Sequence, residues 1–429
     1  MPIELPRAVI AAEVAENIAI RVTDPAVLAD AIEASARQSQ YAALLPWRPA
    51  SLAHGSAGTA LLCAEFDRRF PDQGWDRRGH QHLAVASAAA DPYDLSLFSG
   101  LAGLGFAAVQ LAAGRPRYGR LLKTVDVTLA PYVEEAADRL AAADGCAAGE
   151  HDLVSGLTGV GVYLLARHAQ GGDDQPLIQA LSGLARLLAD DNHPRRWHTP
   201  FELTAGTLRT TFPNGHHNCG LAHGAPGPLA LLSLAFLAGV EIPQTSQAIE
   251  LTADWLVAHQ TSSVGTPDWP DAVALDPAEL EVGGEQPGRA AWCYGAVGVS
   301  RSLWLAGTAL GRSDWRELAA DTIRGIARRR PEQWWLETPT FCHGSAGLLQ
   351  VLRRFAVDLS DPALDGTVET LAADIAATYD PDSLLGVRGI EPGGVLVDHP
   401  GLLDGAPGIA LALLDLPGEN AWDRMFLLS

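Results

Sequence analysis

The chain has 429 residues, enough for two or three average domains or for one large repeat architecture. Hydrophobic residues make up 48%, charged residues 19%, and the mean hydropathy is near zero, which describes a soluble globular protein with a large core and many buried helices. A formal net charge of −21 excludes nucleic acid and anionic lipid as partners held by bulk electrostatics and reads as a solubility device. Five cysteines without framework spacing argue against a disulfide scaffold and for a reducing compartment. The start, Met1 to Arg7, lacks a basic region followed by an apolar one, so no signal peptide is expected. The longest apolar run, Leu229 to Val240, is too short to span a bilayer and predicts a buried helix. The expected location is cytoplasmic.

In chain order, residues 1–45 predict one or two helices packed on the rest. From 46 to 429 a glycine motif, G-x-x-G, recurs seven times, about 58 residues apart. The motifs are His54-Gly55-Ser56-Ala57-Gly58, Ser99-Gly100-Leu101-Ala102-Gly103, Ser155-Gly156-Leu157-Thr158-Gly159, His223-Gly224-Ala225-Pro226-Gly227, Tyr294-Gly295-Ala296-Val297-Gly298, His343-Gly344-Ser345-Ala346-Gly347 and Asp404-Gly405-Ala406-Pro407-Gly408. Each is followed by an apolar stretch of helical period, as Leu348, Val351, Leu352 and Phe355 show. Between motifs lies a second helix with one apolar face: Leu177, Leu181, Leu184 and Leu188; Trp315, Leu318, Ile323 and Ile326; Leu364, Val368, Leu371 and Ile375. Each unit is therefore a half-exposed outer helix, a glycine turn and a more buried inner helix.

Seven such pairs with a last motif as regular as the first predict an all-α fold, an α/α toroid of seven helix-hairpin repeats rather than an open solenoid with polar caps. In that shape the turns fall at one end, and inner-helix N-termini aim unpaired N–H groups at the mouth, where an anion is favoured. Two excursions break the pattern. Residues 193–215, with Trp197, Phe201, Thr204, Thr207, Thr210 and Phe212, suggest a small β or ordered-loop insertion; residues 262–288, rich in Pro, Gly and acid, read as a long surface loop.

Two motifs carry soft metal ligands: Trp292-Cys293-Tyr294-Gly295 and Phe341-Cys342-His343-Gly344. Cys293, Cys342 and His343 make three zinc ligands with no fourth, the count of a catalytic rather than a structural site. The competing reading makes the cysteines small buried hydrophobes and His343 a core histidine. Two thiolates and one imidazole with an open position suit a third, incoming thiol, which zinc holds as thiolate at neutral pH. Cys219 is a weaker candidate for an extra ligand; Cys63 and Cys146 read as buried or inert, and His216-His217 as solvated.

The set formed by Trp-Cys-Tyr-Gly at 292–295, Cys-His-Gly at 342–344, Gly-Leu-Ala-His-Gly at 220–224, Asp152 before Ser155-Gly156, and the Trp422-Asp423-Arg424 ending resembles the lanthipeptide (lantibiotic) cyclases, the lanthionine synthetase C-like family, over nearly the whole chain. The ending departs slightly, continuing Met425-Phe426-Leu427-Leu428-Ser429. The resemblance implies an α-toroid with one Zn2+ that adds peptide cysteine thiols to dehydroalanine or dehydrobutyrine, a Michael addition forming lanthionine or methyllanthionine rings. Carried over by motif, Cys293, Cys342 and His343 look like the zinc ligands, His223 like the acid/base histidine, Asp152 like its carboxylate partner, and Arg289 like an arginine found four residues before the first cysteine. Alternative roles remain for each: a structural histidine, a helix cap and a surface ion pair. His151, beside Asp152, could tune its charge.

The implied partners are a dehydrated precursor peptide with its leader, a separate dehydratase, and an export transporter through which a biosynthetic complex could meet the membrane; no nucleic acid and no membrane span are expected. Other readings are a protein that adds glutathione to dehydroamino acids, a non-catalytic zinc scaffold binding thiol peptides, and a prenyltransferase-type toroid. The last would call for an Asp–Cys–His shell and a basic diphosphate pocket, and neither is apparent in the sequence.

Overall fold

Each glycine motif hands the chain into a helix. The structure is a computed structural model and describes residues 7–189, 195–204, 206, 208–275, 288–414 and 422–429. The helices run α1 (Arg7–Thr23), α2 (Pro25–Gln38), α3 (Ser56–Arg69), α4 (Trp75–Ala88), α5 (Leu101–Ala112), α6 (Gly119–Ala142), α7 (Ala148–His151), α8 (Leu157–His168), α9 (Gln175–Leu188), α10 (Leu208–Thr211), α11 (Pro226–Leu237), α12 (Thr245–Ala258), α13 (Ala296–Leu310), α14 (Ser313–Ala327), α15 (Ser345–Leu359), α16 (Pro362–Ala376) and α17 (Ala406–Leu413).

The motif helices are α3, α5, α8, α11, α13, α15 and α17, and they are buried nearly all round; every residue of α5 is buried. The apolar run at 229–240 is most of α11, as its composition predicts. Helices between motifs are amphipathic. In α9 Leu177, Leu181, Leu184 and Leu188 are buried, and in α16 Leu364, Leu371 and Ile375 are buried while Val368 is half-buried.

The chain divides into two compact units, Met1–Val125 with Leu336–Asp423, and Asp126–Trp335 with Arg424–Ser429. In the first unit the motif helices pack side by side as α15, α17, α3, α5, with α16 behind α15 and α4 behind α3. The outer partner of α17 is α1, from the N-terminal stretch. In the second unit the row is α8, α11, α13, backed by α9, α12 and α14.

Backbone hydrogen bonds stitch successive motifs together at their turns. In the first unit Cys342 N–H donates to Leu403 O (3.0 Å), Leu403 N–H to Ala53 O (3.1 Å) and Ala53 N–H to Phe98 O (2.9 Å). Within the first unit the seventh motif is thus bonded to the first. In the second unit Leu153 N–H donates to Ala222 O (3.2 Å) and Ala222 N–H to Cys293 O (3.3 Å).

The second glycine of a motif lets this row close up. A methyl group at Gly58 would lie 2.3 Å from Leu52 O and 3.1 Å from Leu402 Cβ of the preceding motif. The first glycine serves the turn itself. Gly295 adopts φ +90°, and a side chain there would meet Arg289 O at 1.9 Å.

The second excursion differs from expectation. The insertion after α9 ends in β1 (His216–Asn218), which pairs antiparallel with β4 (Ala272–Ala274) of the second excursion. That second excursion also holds the hairpin β2 (Thr261–Ser263) and β3 (Thr266–Asp268), and its Trp269 is buried with Nε1 donating to Leu256 O at 2.7 Å. Its first half is therefore strand rather than surface loop; residues 276–287, His193 and Thr207 lie outside the described residues. His216 and His217, expected to be solvated, are buried: His216 stacks on Phe212 (5.3 Å between rings) and His217 meets the edge of Trp197 (4.6 Å). Their cover comes from rings of the same insertion together with β4, more than fifty positions away, a combination that local composition does not reveal. A further hairpin, β5 (Gly389–Glu391) with β6 (Val395–Val397), belongs to the first unit.

The ending is built into the core. Asp423, fully buried, accepts from Arg354 Nε (2.6 Å) and from Gln350 Nε2 (2.7 Å) within the first unit. Within the second, Phe426 O accepts from Trp292 Nε1 (3.0 Å) and Leu428 O from Arg301 Nε (2.8 Å).

Candidate active site

The residue preceding the first glycine of each motif sits at the end of the turn, just ahead of a motif helix. His223, Tyr294, His343, Asp404 and His54 share this position. The inter-motif bonds set them in rows within each unit.

In the second unit the row is built around Asp152. Its Oδ1 accepts from Ser155 N–H (2.7 Å) and Gly156 N–H (2.9 Å), at the entrance to α8. Its Oδ2 lies 2.6 Å from His223 Nδ1. Asp152 is therefore both a turn-capping residue and a histidine partner, two roles that the sequence presents as alternatives. Its side chain is 2% exposed while that of His223 is 40% exposed, so the carboxylate is sheltered and the imidazole reaches solvent. With the proton of Nδ1 given to the carboxylate, Nε2 is left as the ring's proton-exchanging atom.

The Tyr294 ring lies 6.2 Å from that of His223, and its hydroxyl accepts from Asn218 Nδ2 at 2.9 Å. Burial raises the Tyr294 hydroxyl to about 12, keeping it protonated. His151 is buried beside Asp152, and burial lowers its pKa, so it is a neutral neighbour. Arg289 is exposed; its charge opposes the rise that burial gives the Asp271 carboxyl. Cys293 is buried at the end of its connection, in the motif whose carbonyl accepts from Ala222. Cys219 is buried and hydrogen-bonds to His217 O (3.7 Å), and burial pushes its thiol well above the usual range, which disfavours a ligating thiolate. Burial also raises Cys63 and Cys146 to about 12.

In the first unit Cys342 and His343 meet a residue that sequence reasoning did not select. Cys342 Sγ, a ring nitrogen of His343 and a carboxylate oxygen of Asp404 all lie within 4.8 Å of one another. Thiolate and imidazole are donors that zinc accepts, and a carboxylate beside them can ligate the ion or orient the imidazole, so Cys342 and His343 fit such an ion. Asp404 Oδ1 is 3.8 Å from His343 Nδ1, and Oδ2 is 3.6 Å from His54 Nε2. Burial lowers His54 to about 4, with the charges of His399 and Arg48 adding to it, and the ring is neutral. The signal for Asp404 was its motif position, the one held by His343 and His223.

A glycine-turn α/α architecture with Cys293, Cys342-His343 and the Asp152–His223 pair defines a class. Residues 46–427 match the family model for lanthionine synthetase C-like protein, and the chain belongs to that family. The nisin biosynthesis protein NisC of Lactococcus lactis subsp. lactis is 22% identical over 369 residues, covering 85% of this chain and 84% of NisC. The solved structure of nisin cyclase is similar with a TM-score of 0.74 and 21% identity, covering 94% of this chain and 97% of that one. The fold is thus that of nisin cyclase, the α-toroid class expected from the repeats. No helix among the described residues is long and apolar enough to cross a membrane.

Proposed function

We propose that this chain is a zinc-dependent lanthionine synthetase that closes thioether rings in a dehydrated precursor peptide, with Cys293, Cys342 and His343 as the zinc ligands. Support comes from membership of the family, the similarity to the nisin biosynthesis protein NisC, and the donor cluster of Cys342, His343 and Asp404. Bound there, zinc would supply a position at which a substrate thiol is held as thiolate at neutral pH.

The protein's own residues would do the rest. Addition of the sulfur to the β-carbon of dehydroalanine or dehydrobutyrine forms the C–S bond, breaks the C=C π bond and leaves an enolate. His223 takes up the thiol's proton at Nε2 and then delivers it to the α-carbon, so the addition consumes and releases no proton overall. Asp152 holds the ring by Nδ1 and steadies its charge. Arg289 and the N–H groups at motif-helix N-termini offer positive potential to the enolate oxygen. A separate dehydratase would prepare the substrate, and an export transporter would follow, in a cytoplasmic complex.

The observation that carries this reading is the 2.6 Å contact between His223 Nδ1 and Asp152, whose other oxygen is tied to the turn before α8. It is tested by zinc content and by counting unreacted thiols in a dehydrated peptide through alkylation and mass measurement. Wild type should bind about one zinc and consume thiols. Cys293→Ala and Cys342→Ala should lose zinc, whereas His223→Ala should keep it and lose ring formation or its regiochemistry. Full zinc retention in both cysteine variants defeats the ligand assignment, and an unchanged product profile in His223→Ala removes its acid/base role.

A further inference from the structure

Asp404 stands between two histidines and is used by neither the fold's core nor the chemistry above. We propose that Asp404 is a positioning residue: its carboxylate orients His343 through Nδ1, so that Nε2 is presented to the metal, and His54 in turn orients Asp404. The inference rests on the zinc reading given above.

Three observations carry it. First, the two carboxylate oxygens address different rings, Oδ1 toward His343 Nδ1 (3.8 Å) and Oδ2 toward His54 Nε2 (3.6 Å). Both contacts are within ion-pair range and longer than a hydrogen bond. Second, the backbone fixes the order. Cys342 N–H bonds to Leu403 O and Leu403 N–H to Ala53 O, so the turn carrying Asp404 is held between those carrying His343 and His54. Third, His54 has little room to turn. Its side chain is 14% exposed, its Nδ1 has no hydrogen-bond partner, and a methyl group at Gly401 would lie 2.9 Å from that nitrogen. The buried face of the ring is thereby set against Gly401 and Nε2 is set toward Asp404.

Histidines that bind metals commonly give their other nitrogen to a carboxylate, which fixes tautomer and ring angle. In the proposed order, His54 Nε2–H faces Asp404 Oδ2 and His343 Nδ1–H faces Asp404 Oδ1. Direct ligation by Asp404 is the contrasting possibility; it would add a fourth protein donor and close the shell.

The test measures zinc affinity by chelator competition and the absorption spectrum of the cobalt-substituted protein. Variants are Asp404→Ala, Asp404→Asn and Cys342→Ala. Asp404→Ala should weaken zinc about 10–100-fold, while the cobalt bands keep the intensity and thiolate charge transfer of wild type, showing an unchanged ligand number. Asp404→Asn should lose less, because its amide oxygen still accepts from Nδ1–H; it also carries the test if the alanine variant does not fold. Unchanged affinity in the variants overturns the proposal, as does a cobalt spectrum showing a lost ligand, which would make Asp404 a direct donor. If Cys342→Ala abolishes zinc binding and the Asp404 variants do not weaken it, only the positioning role fails. If Cys342→Ala retains zinc, the ligand assignment itself is wrong.

Discussion

Asp152 shows how one carboxylate joins structure to chemistry. Its Oδ1 satisfies two N–H groups at a helix entrance, and its Oδ2 holds His223. Asp152→Asn separates these functions. The amide oxygen can still accept from Ser155 and Gly156, but the amide nitrogen would face His223 Nδ1 and force the other tautomer. The expected result is ring closure slowed by about 10²–10⁴-fold with little change in melting temperature. A variant as fast as wild type would show that the pair is only structural. From sequence, a helix cap and a histidine partner stood as alternatives for Asp152, since a D-x-x-S-G string fits either; the separate placement of its two oxygens lets it make both contacts at once. Asp404 is visible in the sequence only as the residue opening the seventh glycine motif, with nothing local to tie it to Cys342 and His343.

At the scale of elements, the helices were the legible part. The period of Leu177, Leu181, Leu184 and Leu188 marks α9, and that of Leu348, Val351, Leu352 and Phe355 marks α15, because a single apolar face dictates burial. The pairing of β1 with β4 was hidden, since three-residue strands carry too little pattern to name a distant partner. The motif glycines are explained by close packing rather than by helix propensity, and this is testable. Gly58→Ala drives a methyl group into Leu52 O and should destabilise by about 1–3 kcal/mol or more. Gly366→Ala, inside α16 with nothing within 4 Å of the new methyl group, should stabilise by about 0.5–1 kcal/mol. Denaturant midpoints decide it; equal shifts in the two variants would contradict the packing role of the motif glycine.

For the whole molecule, the α-toroid class was foreseen from seven regular motifs and is the fold class of nisin cyclase; within the first unit the Leu403–Ala53 bond joins the last motif to the first. What the sequence did not disclose is that α1 backs α17, since the N-terminal segment carries no glycine motif of its own. The fold also holds half-buried histidines in neutral form. Burial lowers His82, on α4, to about 4, below its unfolded value of 6.5. Such a group supports the folded state above the unfolded pKa, and that support is lost as pH falls from about 6.5 toward 4. Between pH 7 and pH 5, His82→Leu should therefore lose less stability than wild type, by roughly 1–2 kcal/mol. Parallel losses would place His82 in contact with water. The central claim is that two cysteines and one histidine hold a zinc whose remaining position takes a substrate thiol. Zinc-edge X-ray absorption with and without a thiol-bearing dehydrated peptide tests it most directly. Two sulfur neighbours alone and three with peptide are predicted; a count that stays at two when peptide binds, or that is not two without it, would contradict the account.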